Sequence, residues 1–98
     1  MIEVRRTAAY DAWFAELRDL NARARINARI RRLSLGNLGD TKSLGGGIHE
    51  LRIDYGPGYR VYFVNREGTI VVLLCGGDKR TQNRDIANAR SLASLLRD

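Results

Sequence analysis

The sequence predicts a small α+β domain with its elements in the order β-α-α-β-β-β-α. A mainly antiparallel sheet carries two helices packed on one face, and a C-terminal helix closes the chain. Three observations support this. Residues 47–64 alternate apolar and polar with period two on both sides of Gly56-Pro57-Gly58, as in a half-buried hairpin. Tyr10, Trp13, Phe14, Leu17 and Leu20 recur at helical spacing. Thr69-Ile70-Val71-Val72-Leu73-Leu74-Cys75 is almost continuously apolar, as in a strand buried on both faces.

Taken in order, Met1 to Arg5 predicts a short strand with Ile2 and Val4 facing the core. Thr7 suits the N-cap of the first helix. Asn21 suits the cap of the second, in which Ile26, Ile30 and Leu33 share a face. Leu35 to Gly47 reads as a glycine-rich loop with a turn at Asn37-Leu38-Gly39-Asp40. Its Gly45-Gly46-Gly47 is not a phosphate loop, because a strand follows and no Lys-Ser or Lys-Thr does. In the hairpin, Leu51 and Ile53 oppose Glu50, Arg52 and Asp54. Tyr59, Val61 and Phe63 likewise oppose Arg60 and Tyr62. Asn65-Arg66-Glu67-Gly68 turns the chain into the apolar strand, which should lie at the centre of the sheet. Gly76-Gly77 should let the backbone turn sharply. Thr81 or Asn83 then caps a last helix striped by Ile86, Ala89, Ala93 and Leu96.

A chain of 98 residues makes one domain, residues 1–98, large enough for a modest core. No apolar run approaches the roughly 18 residues of a membrane span. The first residues lack the apolar centre of a signal peptide. A single cysteine, Cys75, permits no internal disulfide and fits a cytoplasmic protein; its simplest role is as a small core residue. No zinc spacing, hydrolase triad or nucleotide fingerprint occurs, so neither a metal nor a cofactor is expected. His49 is the one histidine, and a lone histidine beside a strand is more often structural than chemical.

The formal net charge is +6, and fifteen arginines stand against two lysines, Lys42 and Lys79. That balance favours nucleic acid or an acidic partner, and arginine suits phosphate forks. Codon bias accounts equally well for surface arginines. The alternation places Arg52 and Arg60 side by side on the sheet face away from the first two helices, with Tyr62 beside them. Lys79 follows the last strand, where it could meet both. Arg25, Arg29 and Arg32 lie on one flank of the second helix. Either they form a solvated basic face, or, with Arg80, they contact the backbone of RNA or the ribosome.

Three segments together carry a resemblance. Gly47-Ile48-His49-Glu50-Leu51-Arg52-Ile53, Gly56-Pro57-Gly58-Tyr59-Arg60-Val61-Tyr62-Phe63 and Gly76-Gly77-Asp78-Lys79-Arg80-Thr81-Gln82-Asn83-Arg84-Asp85-Ile86 resemble the Gp49/HigB-like branch of the RelE/ParE toxin superfamily. The likeness runs from the Trp13-Phe14 helix to the last helix. It implies a RelE-like fold and the toxin of a type II toxin–antitoxin module. RelE-like members cut mRNA on the ribosome, and ParE-like members poison DNA gyrase. Arg60 matches the arginine that holds the scissile phosphate, Arg52 a basic residue of the preceding strand, and Lys79 a basic position after the last strand. Glu50 and Asp85 depart from the pattern, standing where a lysine and a tyrosine are expected. The implied partners are a helix-turn-helix antitoxin, the ribosome and mRNA, with no membrane.

The chemistry follows from RNA itself, whose 2′-hydroxyl can attack the adjacent phosphate without a metal. Arg52 and Arg60 could stabilise the developing charge. Like charges disfavour the protonated form of Lys79, so it could act as base or, protonated, assist the leaving oxygen. Glu50, Tyr62 or Asp85 could carry the other proton. Three classes therefore stand: a ribosome-dependent mRNA endonuclease, a ParE-like gyrase poison, and a non-toxic basic module that binds nucleic acid. The arginine–lysine trio favours the first, since a poison needs no phosphate-cleaving cluster.

Overall fold

The structure is a computed structural model and describes residues 1–96. Among these, the elements are β1 (Glu3–Arg6), α1 (Ala8–Ala15), α2 (Leu20–Ser34), β2 (Thr41–Gly45), β3 (Ile48–Ile53), β4 (Tyr59–Arg66), β5 (Ile70–Gly77), a 3-10 turn (Lys79–Thr81) and α3 (Gln82–Ser94). The five strands form one sheet in the order β1-β5-β4-β3-β2. β1 runs parallel to β5, and the other pairs are antiparallel. The domain is mixed α+β, with a five-stranded, mostly antiparallel sheet.

Two apolar clusters sandwich this sheet. On one face Tyr10 of α1 and Ile26 and Leu33 of α2 meet Leu51, Val61, Phe63, Val71 and Leu73, with Ile2, Val4, Trp13 and Phe14 packed around them. On the other, Ala89, Ile86, Leu92 and Ala93 of α3 cover Ile48, Tyr62, Val64, Leu74 and Cys75. The pairing of the first two helices with one face, and the stripe of the last, are as the sequence predicts. The face bearing Arg52 and Arg60 is not open along its length, because α3 buries Tyr62 and Glu50 completely.

Several local expectations are corrected. Thr41–Gly45, expected within a loop, is the edge strand β2, paired with β3 from Thr41↔Leu51 to Gly45↔Ile48. Only Leu44 in it is apolar, so periodicity gave no sign. Strand pairing and the Arg90 guanidinium, which donates to the Leu44 carbonyl at 2.9 Å, hold it instead. The centre of the sheet is β4, not β5. Thr7 does cap α1, accepting from Tyr10 N at 3.0 Å. α2, however, is capped by Asp19, whose Oδ1 accepts from Asn21 N and Ala22 N, leaving Asn21 inside the helix. The chain turns between the helices, so the stripe stops there and Leu20 is 75% exposed.

Gly76-Gly77 does not turn the chain. Both lie in β5, pairing with Val61 and Arg60. Tyr62 pairs with Cys75 and Phe63 with Leu73, which leaves Leu74 as the extra residue of a β-bulge. Leu74 and Cys75 therefore both enter the α3 cluster, breaking strict alternation. Beyond the bulge the two glycines admit close neighbours from opposite sides. A Cβ at Gly76 would lie 2.3 Å from the Trp13 ring, and one at Gly77 would lie 1.8 Å from Asp85 Oδ2.

Candidate phosphate-binding cleft

The candidate site begins with strand register. Arg52 and Arg60 are direct partners across β3 and β4. Arg60 also partners Gly77 at the end of β5, so Lys79 arrives beside it two residues later. Between them stands Gly58, in the left-handed region at φ +82°, where a Cβ would lie 3.5 Å from both Arg60 Nη1 and Lys79 Cβ. Glycine adopts that conformation without penalty. The result is a cavity of about 380 Å³ lined by Asp40, Arg52, Asp54, Gly58, Arg60 and Lys79 among others. All three residues expected to bind and cleave phosphate meet there.

Each cation is held differently. Arg60 is 12% exposed along its side chain. Its Nη1 donates to the carbonyls of Gly58 at 3.2 Å and Tyr59 at 3.4 Å. Arg52 is more open, and its Nε lies 3.5 Å from Asp40 Oδ1. Both side chains are well exposed and Arg52 Nε makes no hydrogen bond to Asp40, so Asp40 is a weak competitor for a phosphate. Lys79 is exposed at the start of the 3-10 turn. Asp78 anchors that turn, accepting from Arg80 N at 2.8 Å while its own N–H donates to Thr81 Oγ1. The bonds to Arg80 hold the Asp78 carboxyl below the usual carboxylate range. Arg80 also donates its Nη2 to Asp78 Oδ2 at 3.1 Å and, rather than lining the arginine cleft, faces a neighbouring hollow with Lys79 and Gln82.

The three residues expected to share proton transfer are not at the cleft surface. Glu50 and Tyr62 are completely buried and Asp85 nearly so. Glu50 Oε2 accepts from Tyr62 Oη at 3.2 Å and from Gln82 Nε2 at 2.7 Å. Burial, and then the neighbouring Glu50, push the Tyr62 phenol well above its ordinary range. Asp85 accepts from Thr81 Oγ1 and rests on Gly77. The reason is α3, whose first turn covers this end of the sheet.

The flank of α2 is only partly free. Arg29 donates to the carbonyls of Arg52 at 2.5 Å, Asp40 at 3.2 Å and Leu38 at 3.4 Å, and burial lowers its pKa. It is a clamp for the loop before β2. Arg25 lies over the Tyr55 ring, 4.6 Å from the centroid. Arg25, Arg29 and Arg32 line a hollow of about 180 Å³ that shares Ile53 and Asp54 with the arginine cleft. The two basic regions are therefore adjacent.

His49 stacks on Phe63, with ring centroids 5.1 Å apart, on the sheet face opposite the arginines. Cys75 is a buried free thiol; burial, then Asp85, pushes it up to about 12. Among the described residues no group of three His, Cys, Asp or Glu side chains could hold a metal ion, and no helix is long and apolar enough to cross a membrane. Sequence reasoning missed Gln82 and Asp40. Gln82 has no signal beyond opening the last helix, and Asp40 reads as a turn residue.

Three comparisons bear on identity. Residues 12–93 match the family model for phage-derived Gp49-like proteins (DUF891). An uncharacterized protein of Haemophilus influenzae is 55% identical over 95 residues, covering 97% of this chain and 96% of its own. No solved structure matches. The chain belongs to the family of phage-derived Gp49-like proteins.

Proposed function

We propose that the protein is the toxin of a type II toxin–antitoxin module, of RelE-like fold, and that it is an endoribonuclease cutting mRNA on the ribosome. One observation carries the reading: Arg52, Arg60 and Lys79 line one cleft at the end of the hairpin. The association of the Gp49-like family with toxin–antitoxin modules supports it.

In this mechanism the scissile phosphate lies between Arg52 and Arg60. The RNA 2′-hydroxyl gives up its proton and attacks the adjacent phosphorus, the bond from phosphorus to the 5′-oxygen breaks, and that oxygen takes a proton, leaving a 2′,3′-cyclic phosphate and a 5′-hydroxyl. The arginines neutralise the charge that builds on the non-bridging oxygens. Arginine suits this task because its planar fork meets two oxygens at once. Lys79 is the proton-transfer candidate whose side chain reaches the cleft. The second transfer falls to water or to a ribosomal group, since Glu50, Tyr62 and Asp85 lie beneath the surface. Dependence on the ribosome fits so sparse a site. The exposed flank of α2 supplies backbone contacts to ribosomal RNA. The toxin works in the cytoplasm, and a small helix-turn-helix antitoxin restrains it.

Mapping mRNA 5′ ends in a reconstituted translation reaction tests this. Cuts inside codons, lost in Arg60→Ala, are the expected result. Intact mRNA with loss of supercoiling by gyrase would replace this reading with the poison; intact mRNA and normal supercoiling would leave a nucleic-acid-binding module.

A further inference from the structure

The buried carboxylate beneath the cleft has an unfilled hydrogen-bonding position. Glu50 is fully buried, yet its Oε1 has no hydrogen-bond partner. The same is true of Arg60 Nε, buried directly above it. The two atoms stand 3.9 Å apart. We propose that Glu50 is a positioning residue, which aims the Arg60 guanidinium into the cleft and exchanges no proton with the substrate. This rests on the phosphate-cleft reading above.

The argument starts from cost. An isolated charge in a protein interior is strongly disfavoured, and a buried ion pair persists only with good geometry and satisfied neighbours. Here the neighbours are supplied. Tyr62 Oη and Gln82 Nε2 both donate to Glu50 Oε2, so the carboxylate is clamped from β4 and from the first turn of α3. The Tyr62 phenol, pushed up by burial and by Glu50, stays a donor. Clamped this way, Oε1 faces Arg60 Nε. On the other side, Arg60 Nη1 turns to the Gly58 and Tyr59 carbonyls. Nη1 is thus held by two backbone carbonyls, Nε faces the carboxylate without a hydrogen bond, and Nη2 has no hydrogen bond to a described residue. A movement of about 1 Å would bring Nε and Oε1 to hydrogen-bond distance. A phosphate drawing on the outer edge of the fork polarises it and favours that closure. Gln82 makes α3 part of the device, since the last helix sets the angle of the carboxylate.

The test uses the full-length protein, ¹⁵N-labelled, as wild type, Glu50→Gln and Gln82→Ala. Both variants keep side-chain volume change small or confined to a half-buried position. In the wild type the Arg60 Nε–Hε signal should be sharp and protected from water exchange. Glu50→Gln should lose that protection, and Gln82→Ala should weaken it in the same direction. In cleavage of ribosome-bound mRNA, Glu50→Gln should lower kcat by about 100-fold, the scale of a misplaced reacting group. KM should change less, and the shape of the pH–rate profile should stay that of the wild type. Unchanged Arg60 protection in both variants overturns the proposal and leaves Glu50 a packing residue. A pH profile that loses a limb in Glu50→Gln also overturns it, by making Glu50 a proton carrier. A wild type that cuts no mRNA would remove the nuclease reading, and the Arg60 signal would still decide the positioning role.

Discussion

Arg60 of β4 pairs with Gly77 of β5, and this register creates the site. It brings Lys79 to the arginine and leaves room at Gly77 for the Asp85 carboxylate of α3. One pairing thus joins the cleft to the helix that supports it.

Arg60→Ala should reduce mRNA cleavage by about 10²- to 10³-fold, the usual loss when one donor to a developing anion is removed. Arg52→Ala should lose less, because Arg52 is more exposed and shares its charge with Asp40. Circular dichroism should show both variants folded, with Arg60→Ala the less stable because buried Glu50 loses its charge partner. Full toxicity in Arg60→Ala would show that the cleft is not where phosphate is cut.

Lys79→Arg retains the charge but cannot readily release a proton; Lys79→Met loses both. Single-turnover cleavage across pH separates base from electrostatic roles. The expected outcome is a large loss in both variants. Near-full activity of Lys79→Arg at every pH would exclude a base.

Gly77→Ala should destabilise the protein by about 1–3 kcal/mol, the cost of overpacking, because a Cβ would strike the Asp85 carboxylate. Thermal melting measures it. Gly77→Ala combined with Asp85→Ser should recover part of the loss. No recovery would mean that the strain lies in the strand backbone instead.

The basic flank of α2 should divide in two. Arg25→Glu with Arg32→Glu should weaken ribosome binding and flatten its salt dependence, because phosphate contacts are lost. It should weaken antitoxin binding too if the antitoxin docks on these helices, and leave it unchanged if the antitoxin covers the cleft. Arg29→Glu should instead lower stability, since its guanidinium holds three loop and strand carbonyls. Filter binding at several salt concentrations, beside urea melts, checks both halves.

Acid should loosen the start of α2. Hydrogen bonds from the Tyr55 hydroxyl, then from the backbone of Ala22, hold the Asp19 carboxyl below its ordinary 3.8. A depressed folded value means stability that is present above the unfolded pKa and lost as pH falls through the folded one. Urea midpoints should therefore fall on acidification below about pH 4, and less steeply in Asp19→Asn. Equal slopes would show that the cap contributes nothing to acid sensitivity.

The amino-acid sequence by itself determined the sides of the elements. Period-two alternation put Leu51, Ile53, Val61 and Phe63 on the face covered by α1 and α2 and Arg52 and Arg60 on the other, and the structure agrees. Helical spacing identified the buried stripes of Tyr10, Ile26, Leu33 and Ala89. Periodicity reports only which way a side chain points, not what comes to rest on it. Tertiary structure alone decided that α3 covers Glu50 and Tyr62, removing two proton-transfer candidates from the surface. It decided that Arg29 serves carbonyls rather than a ligand, and that β2 forms at all, through hydrogen bonds to β3 that a polar edge strand does not announce. The bulge at Leu74 likewise depends on pairing with β4. Each of these rests on contacts between separate elements, and no local pattern encodes the distance between them.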